Sequence, residues 1–217
     1  MIDPGSIDLI DFLITWYGPP GRAATPLPAS LEWLPQPLRN WHTLASPWDV
    51  RMDFATTMTP PESIEVSDGM AVFMEDGLGD REWAFSADEP DLVFEAEPGD
   101  EWERVPENFP EFLVHNAVMN TSLGAPHKAE ASHVDPTDMM RVVDNLDEFA
   151  FGMWGWMPGY RMFMGDEALA EIVPHGRGTG LFVRLSATTP DRLAELTAGP
   201  GIRWACLPGW PSTPRPA

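Results

Sequence analysis

The spacing of apolar residues along the chain changes period twice. In "DPGSIDLIDFLITWYG", residues 3–18, Ile10, Leu13, Ile14 and Tyr17 recur at i, i+3, i+4 and i+7. This predicts a first helix, capped by Asp3 with Pro4 in its first turn and stopped by Gly18 and the Pro19-Pro20 pair. "GPPGRAATPLP" reads as a Pro/Gly loop. "PASLEWLPQPLRNW", residues 28–41, predicts a helix broken around Pro35 and Pro37, with Leu31, Trp33, Leu34, Leu38 and Trp41 as its core face. Residues 41–61 read as loop.

From Ser63 the period becomes two. "SIEV", "MAVFM", "REWAF", "DLVFE" and "EWERV" predict short strands. The turn signals Ser67-Asp68-Gly69, Asp76-Gly77-Leu78-Gly79, Ala87-Asp88-Glu89-Pro90 and Pro98-Gly99-Asp100 separate them, so the block predicts an antiparallel meander. Helical period returns in "VPENFPEFLVHNAVMNTSLG", with Phe112, Leu113, Val118 and Leu123 as core contacts and Gly124 as the stop.

"GAPHKAEASHVDP" reads as a linker, and Asp135-Pro136 opens a helix, "DPTDMMRVVDNL". "EFAFGMWGWM" and "YRMFMG" predict strands around a Met157-Pro158-Gly159 turn, and "GLFVRLSA" a further strand. "TPDRLAELT" predicts a short helix capped by Thr188 or Thr189, "IRWACL" a last strand, and "PGWPSTPRPA" a loose tail. Helices, meander and helices again, followed by a mixed segment, predict an α+β fold rather than a doubly wound parallel sheet. The main domain spans residues 1–125. An α+β extension, 126–210, either completes that domain or stands apart, and 211–217 form the tail.

Composition narrows the function classes. The chain has 217 residues, 43% hydrophobic content and ten Trp, which excludes wholesale disorder. The formal net charge is −21, so nucleic acid and anionic membrane are repelled and basic proteins or cations attracted. Between Glu75 and Glu111 there are fourteen Asp or Glu and two Arg. A single cysteine, Cys206, excludes an internal disulfide framework and Cys-cluster metal sites. The acidic "MIDPGSIDLI" has no basic leader pattern, and no apolar stretch approaches a membrane span. A cytoplasmic protein is expected.

No constellation for catalysis stands out. Of five histidines, His127 and His133 could share a metal ion with Asp135, but two histidines in a loop need no ligand to be there. His115 reads as a packing residue. "DGLGD" lacks the EF-hand pattern, and "PHGRGTG" lacks both phosphate-loop fingerprints and reads as a strand connection. Cys206 has no catalytic neighbours in sequence. Trp154, Trp156, Tyr160 and Phe163 could line a small-molecule pocket, although aromatic residues at strand spacing are more often core. No cofactor is implied.

The middle of the chain resembles the SUKH superfamily, the Smi/Knr-type cell-wall regulators and their bacterial immunity-protein relatives. The likeness runs from about Leu9 to Leu123. It rests on "LPASLEWLPQPLRNWH", on the strand–turn–strand "MAVFMEDGLGDREWAF", on "SADEPDLVF" and on "EWERVPENFPEFLVHNAV". It implies a twisted antiparallel sheet flanked by helices and a binding protein, not an enzyme. Many such relatives neutralise basic nuclease or deaminase toxins. On that reading Asp76, Asp80, Glu82, Asp88, Glu89, Asp91, Asp100, Glu101 and Glu103 form a partner-facing acidic surface. The same carboxylates could instead be a solvated edge that discourages strand pairing. Two alternatives remain: an intracellular scaffold or regulator without a toxin partner, and a small-molecule binder using the Trp154/Trp156 region.

Overall fold

The structure is a computed structural model that describes residues 1–152, 154, 157–175, 180–199 and 201–208. Among them the chain carries five α-helices and two antiparallel six-stranded sheets, an α+β fold. It divides into two compact units. Among the described residues, one is Tyr17–Asn120; the other joins residues 1–16 to residues 121–208.

The first helix is shorter than its spacing predicts. Asp3 caps only a 3-10 turn, Pro4–Ser6. The α-helix proper, α1, runs Leu9–Tyr17, and the Asp8 carboxylate accepts the N–H groups of Ile10 (2.8 Å) and Asp11 (3.3 Å). Its buried residues are Phe12 and Leu13, while Ile10 and Ile14 are 51% and 39% exposed. The helix has two overlapping apolar stripes, and periodicity alone cannot choose between them.

In the first-sheet unit, Ala29–Leu31 form a 3-10 turn and α2 spans Gln36–Ala45. Pro35 and Pro37 start α2 rather than break it, because the first-turn N–H groups have no helical partners to lose. Leu31, Leu34, Leu38 and Trp41 are buried as expected, but Trp33 is 44% exposed. The strands are β1 (Thr56–Met58), β2 (Val66–Ser67), β3 (Met70–Asp76), β4 (Glu82–Ser86), β5 (Leu92–Ala96) and β6 (Glu103–Asn108). They order as β1-β3-β4-β5-β6, with β2 also paired to β3. The meander is therefore present, with β1 added from the segment that reads as loop. At the β2–β3 turn Asp68 and Gly69 both have positive φ, 51° and 81°, the backbone of a tight hairpin. A bulge between Val72 and Met74 turns Phe73 and Met74 both inward, and both are buried. Phe73 then packs on Phe109 (4.9 Å between ring centres) and edge-on to Phe112 (5.9 Å), both carried by α3, Phe109–Gly124.

Residues 112–122 of α3 are all buried, although five of them (His115, Asn116, Asn120, Thr121 and Ser122) are polar. Asn120 shows how such a residue is tolerated. Its Oδ1 accepts the backbone N–H groups of Phe54 (2.7 Å), Ala55 (2.8 Å) and Thr56 (3.3 Å), and its Nδ2 donates to Thr56 Oγ1 (2.9 Å). One side chain thus closes the entry into β1.

The second-sheet unit corrects the linker reading. Residues of "GAPHKAEASHVDP" form a strand, β7 (His127–Val134), in the interior of the second sheet. Next come α4 (Pro136–Val142), β8 (Asp147–Glu148), β9 (Arg161–Gly165), β10 (Ala168–Pro174), β11 (Leu181–Ala187), α5 (Pro190–Thr197) and β12 (Ala205–Pro208). The order is β12-β7-β11-β10-β9-β8. Asp135 caps α4 and Thr189 caps α5 through their side chains. The strand expected in "EFAFGMWGWM" reduces to β8, and Met153, Gly155 and Trp156 lie outside the described residues. β10 goes unread in the sequence. The N-terminus adds a bridge at this sheet's margin, where Ile2 N–H donates to Glu148 O (2.7 Å) and Ala150 N–H to Ile2 O (2.8 Å). One face carries Ala129, Ala131, Ala170, Ile172, Val183 and Leu185 in a cluster with Met139 of α4, Val143 at its C-terminal cap and Leu193 of α5. The "PGWPSTPRPA" tail lies almost wholly outside the described residues.

Candidate functional site

The antiparallel meander sorts the acidic candidates into two groups. Asp76, Asp80, Glu82, Asp100, Glu101 and Glu103 lie at the end of the sheet where the β3–β4 and β5–β6 turns meet. Asp88, Glu89 and Asp91 belong to the β4–β5 turn at the opposite end. A five-residue strand, about 16 Å at 3.3 Å per residue, separates the groups. The nine residues are therefore not one face.

Within the first group the roles differ. Asp76 closes its own turn, its Oδ1 accepting the N–H groups of Asp80 (2.7 Å) and Arg81 (3.1 Å). Asp80, Asp100, Glu101 and Glu103 are exposed. Glu103 sits on the edge strand β6 with Pro106, where a charge and a proline also blunt strand addition. Glu82 stands directly across from Glu75, and Glu103 from the buried Glu95, so glutamates oppose each other twice in one sheet. Arg81 bonds Glu97 (3.3 Å) and ties the two hairpins together. At this end Leu78 is 84% exposed, the most exposed large apolar residue of the unit, and Trp102 is half-buried. The result is an apolar tip rimmed by carboxylates.

A second charged group, not anticipated from sequence, lies on the second sheet's face away from α4 and α5. Arg184 of β11 reaches Glu130 of β7 (2.7 Å) and Glu171 of β10 (2.5 Å), its neighbours in register. Ser122 Oγ donates to Glu171 (3.3 Å), Ser186 Oγ donates to Ser122 O (2.8 Å), and Lys128 Nζ donates to Leu123 O. Burial raises the Glu171 pKa, with Arg184 and Ser122 opposing it. Burial, then the Arg184 charge, lowers that of Lys128. Burial works against the charge on Arg184 too, but Glu171 and Glu130 outweigh it and hold the guanidinium charged. Burial also raises the Tyr160 hydroxyl well above its usual value, and the Glu171 charge adds to the effect. Two cations face two anions here, so the cluster has no surplus charge with which to hold an ionic ligand. It reads as a welded polar core. The available signal was the alternation of Lys128 and Glu130 with Ala129 and Ala131.

The remaining candidates separate. His127 and His133 lie at opposite ends of β7, roughly 20 Å apart at strand rise. Asp135 is committed to the α4 cap through the N–H of Thr137. These three residues cannot share an ion. Among the described residues no group of three or more His, Cys, Asp or Glu is arranged to hold a metal. His115 is buried with Nδ1 2.7 Å from Glu107 Oε1, itself buried. Trp154 is buried and Trp156 is outside the described residues. A groove of about 240 Å³ lies between α4 and α5, but Arg141 and Arg192 at its rim are each paired within their own helix, to Asp138 and Glu195.

No helix among the described residues is long and apolar enough to cross a membrane. No protein-family model, curated protein or solved structure matches the chain.

Proposed function

We propose that this chain is a non-enzymatic, immunity-type binding protein of the SUKH kind. It acts in the cytoplasm and neutralises a basic nuclease- or deaminase-like toxin through the β3–β4 and β5–β6 end of its first sheet. The observation that carries this reading is Leu78, 84% exposed at a hairpin tip with Asp80, Asp100, Glu101 and Glu103 exposed at the same end. An apolar centre inside a polar rim is the general layout of a protein–protein interface. The charge of −21 steers a cationic partner from a distance, and the rim carboxylates occupy the groove its nucleic acid would take.

The test is capture from the native cell lysate on immobilised protein, with elution by a salt gradient and identification by mass spectrometry. Wild type is compared with Leu78→Ser/Asp80→Lys/Asp100→Lys and with Asp88→Lys/Glu89→Lys. A basic protein released by moderate salt, lost with the first variant and kept with the second, supports the proposal. Equal capture by all three, or a salt-resistant partner, refutes the acidic-tip mechanism.

A further inference from the structure

The groove between α4 and α5 takes Asp138, Arg141 and Val142 from one helix and Arg192, Glu195 and Leu196 from the other, each set spaced i, i+3 and i+4 along one helix face. Val142, Leu196 and Ile202 supply its apolar lining and pack on the core beneath. Each wall carries one cation already paired with one anion, Arg141 with Asp138 (3.0 Å) and Arg192 with Glu195 (2.9 Å). The four charges balance, so the groove has no surplus with which to select a simple ion. Two half-buried groups on facing walls keep polar atoms in reserve. Arg192, 26% exposed, donates Nε to Asp166 O (3.0 Å) and Nη1 to Glu195, while Asp138, 34% exposed, gives Oδ1 to Arg141. Among the described residues no hydrogen bond engages Nη2 of Arg192 or Oδ2 of Asp138. That Oδ2 points toward the segment that brings Ile202 to the groove, since a Cβ on Gly201 would lie 3.9 Å from it.

We propose that this groove binds a free α-amino acid with an apolar side chain. The ligand's carboxylate takes Arg192 Nη2, its ammonium takes Asp138 Oδ2, and its side chain lies against Val142, Leu196 and Ile202. A zwitterion brings one charge of each sign and preserves the balance of the groove, which a simple anion or cation upsets. In a peptide the two charges stand at opposite ends of the backbone, so only the free amino acid offers both on one carbon. The size agrees: the groove holds about 240 Å³, and a cavity of about 150 Å³ accommodates one benzene ring, which leaves room for the head group. Arg192 is already held by Asp166 O and Glu195, so little side-chain freedom is lost when it receives the carboxylate. The site lies wholly in the second-sheet unit, and its failure would leave the acidic tip of the first sheet untouched.

The probe is L-phenylalanine, titrated into the full chain and followed through the methyl resonances of Val142, Leu196 and Ile202. Saturable binding with a Kd of about a millimolar is expected for a ligand of this size, the three residues shifting together. Phenylacetate, which lacks the ammonium, and phenethylamine, which lacks the carboxylate, should each bind about tenfold more weakly, the worth of one charge-assisted hydrogen bond. Asp138→Asn should weaken L-phenylalanine and narrow its lead over phenylacetate; Arg192→Gln should narrow its lead over phenethylamine. Because Asp138 is half-exposed, its variant is expected to keep the wild-type melting temperature, which separates lost binding from lost folding. No saturable binding, equal affinity for the three compounds, or an L-phenylalanine affinity untouched by Asp138→Asn overturns the proposal.

Discussion

Arg184→Met tests how the second sheet tolerates its buried charges. Arg184 bridges Glu130 at 2.7 Å and Glu171 at 2.5 Å, and its side chain is 13% exposed. Each pair is worth about 4 kcal/mol of Coulomb attraction at 4 Å in an effective dielectric of 20, most of it offset by desolvation. Methionine keeps the bulk of the apolar stem, but it removes the guanidinium that lies over the Phe182 ring (5.3 Å) and leaves Glu171 buried without its cation. Breaking a buried pair from one side costs about 3–5 kcal/mol. For a chain of this size that lowers Tm by about 6–20 °C. The assay is calorimetric unfolding at pH 7 and pH 5.

The sign with pH follows from Glu171. Its folded pKa is raised, so between the unfolded value and the folded one the native state holds more protons, and stability falls as pH rises through that window. Removing Arg184 raises the folded value further and widens the window. The variant's deficit should therefore shrink at pH 5. Arg184→Met/Glu171→Gln should recover more than half of the loss, because no buried charge is then stranded and Glu130 is the more exposed of the two carboxylates. A loss under about 1 kcal/mol at pH 7, or one independent of pH, would mean that water already reaches Glu171 and that the welded-core account is wrong.

Two further outcomes follow from particular contacts. Asn120→Ala deprives the N–H groups of Phe54, Ala55 and Thr56 of their shared acceptor and should destabilise the first-sheet unit by about 2–4 kcal/mol in urea unfolding; a loss below about 1 kcal/mol would show that water replaces the amide. Glu148 is held below its usual pKa by the paired hydrogen bonds from Arg161 (2.5 and 2.7 Å), so its contribution is present above the unfolded value and is lost as pH falls through the folded one. The Tm difference between wild type and Glu148→Gln should be constant at neutral pH and close as pH falls below about 4; a gap that persists at the acid limit would refute the ion-pair origin.

Much of the first sheet was legible because its signals are local. Asp68-Gly69 makes a hairpin by its own φ preferences, and the alternation in "MAVFM" and "REWAF" marks strands without reference to a partner. The Asp135 and Thr189 caps are likewise decided within three residues. β1 and β7 were not legible. Thr56–Met58 is short and is closed by Asn120, more than sixty positions away. β7 is built of alanine, lysine and glutamate, poor strand formers by propensity. The acidic tip was legible only as residue types. The chain order placed Asp88 and Glu89 among its members, and only the antiparallel path of β4 carries them to the other end of the sheet.

By itself, then, the sequence determined the α+β class, the charge, the turns and the caps, all set by composition or by residues a few positions apart. Tertiary structure decided sidedness and pairing. α1 offers two apolar stripes, and burial chose Phe12 and Leu13 over Ile10 and Ile14. Glu130 lies in a strand because Arg184, 54 positions on, neutralises it there, and His133 meets His175 rather than His127. The physical reason is the same each time. Burial of a charge or choice of a face depends on the partner's desolvated field and shape, and those partners are brought close only by strand register.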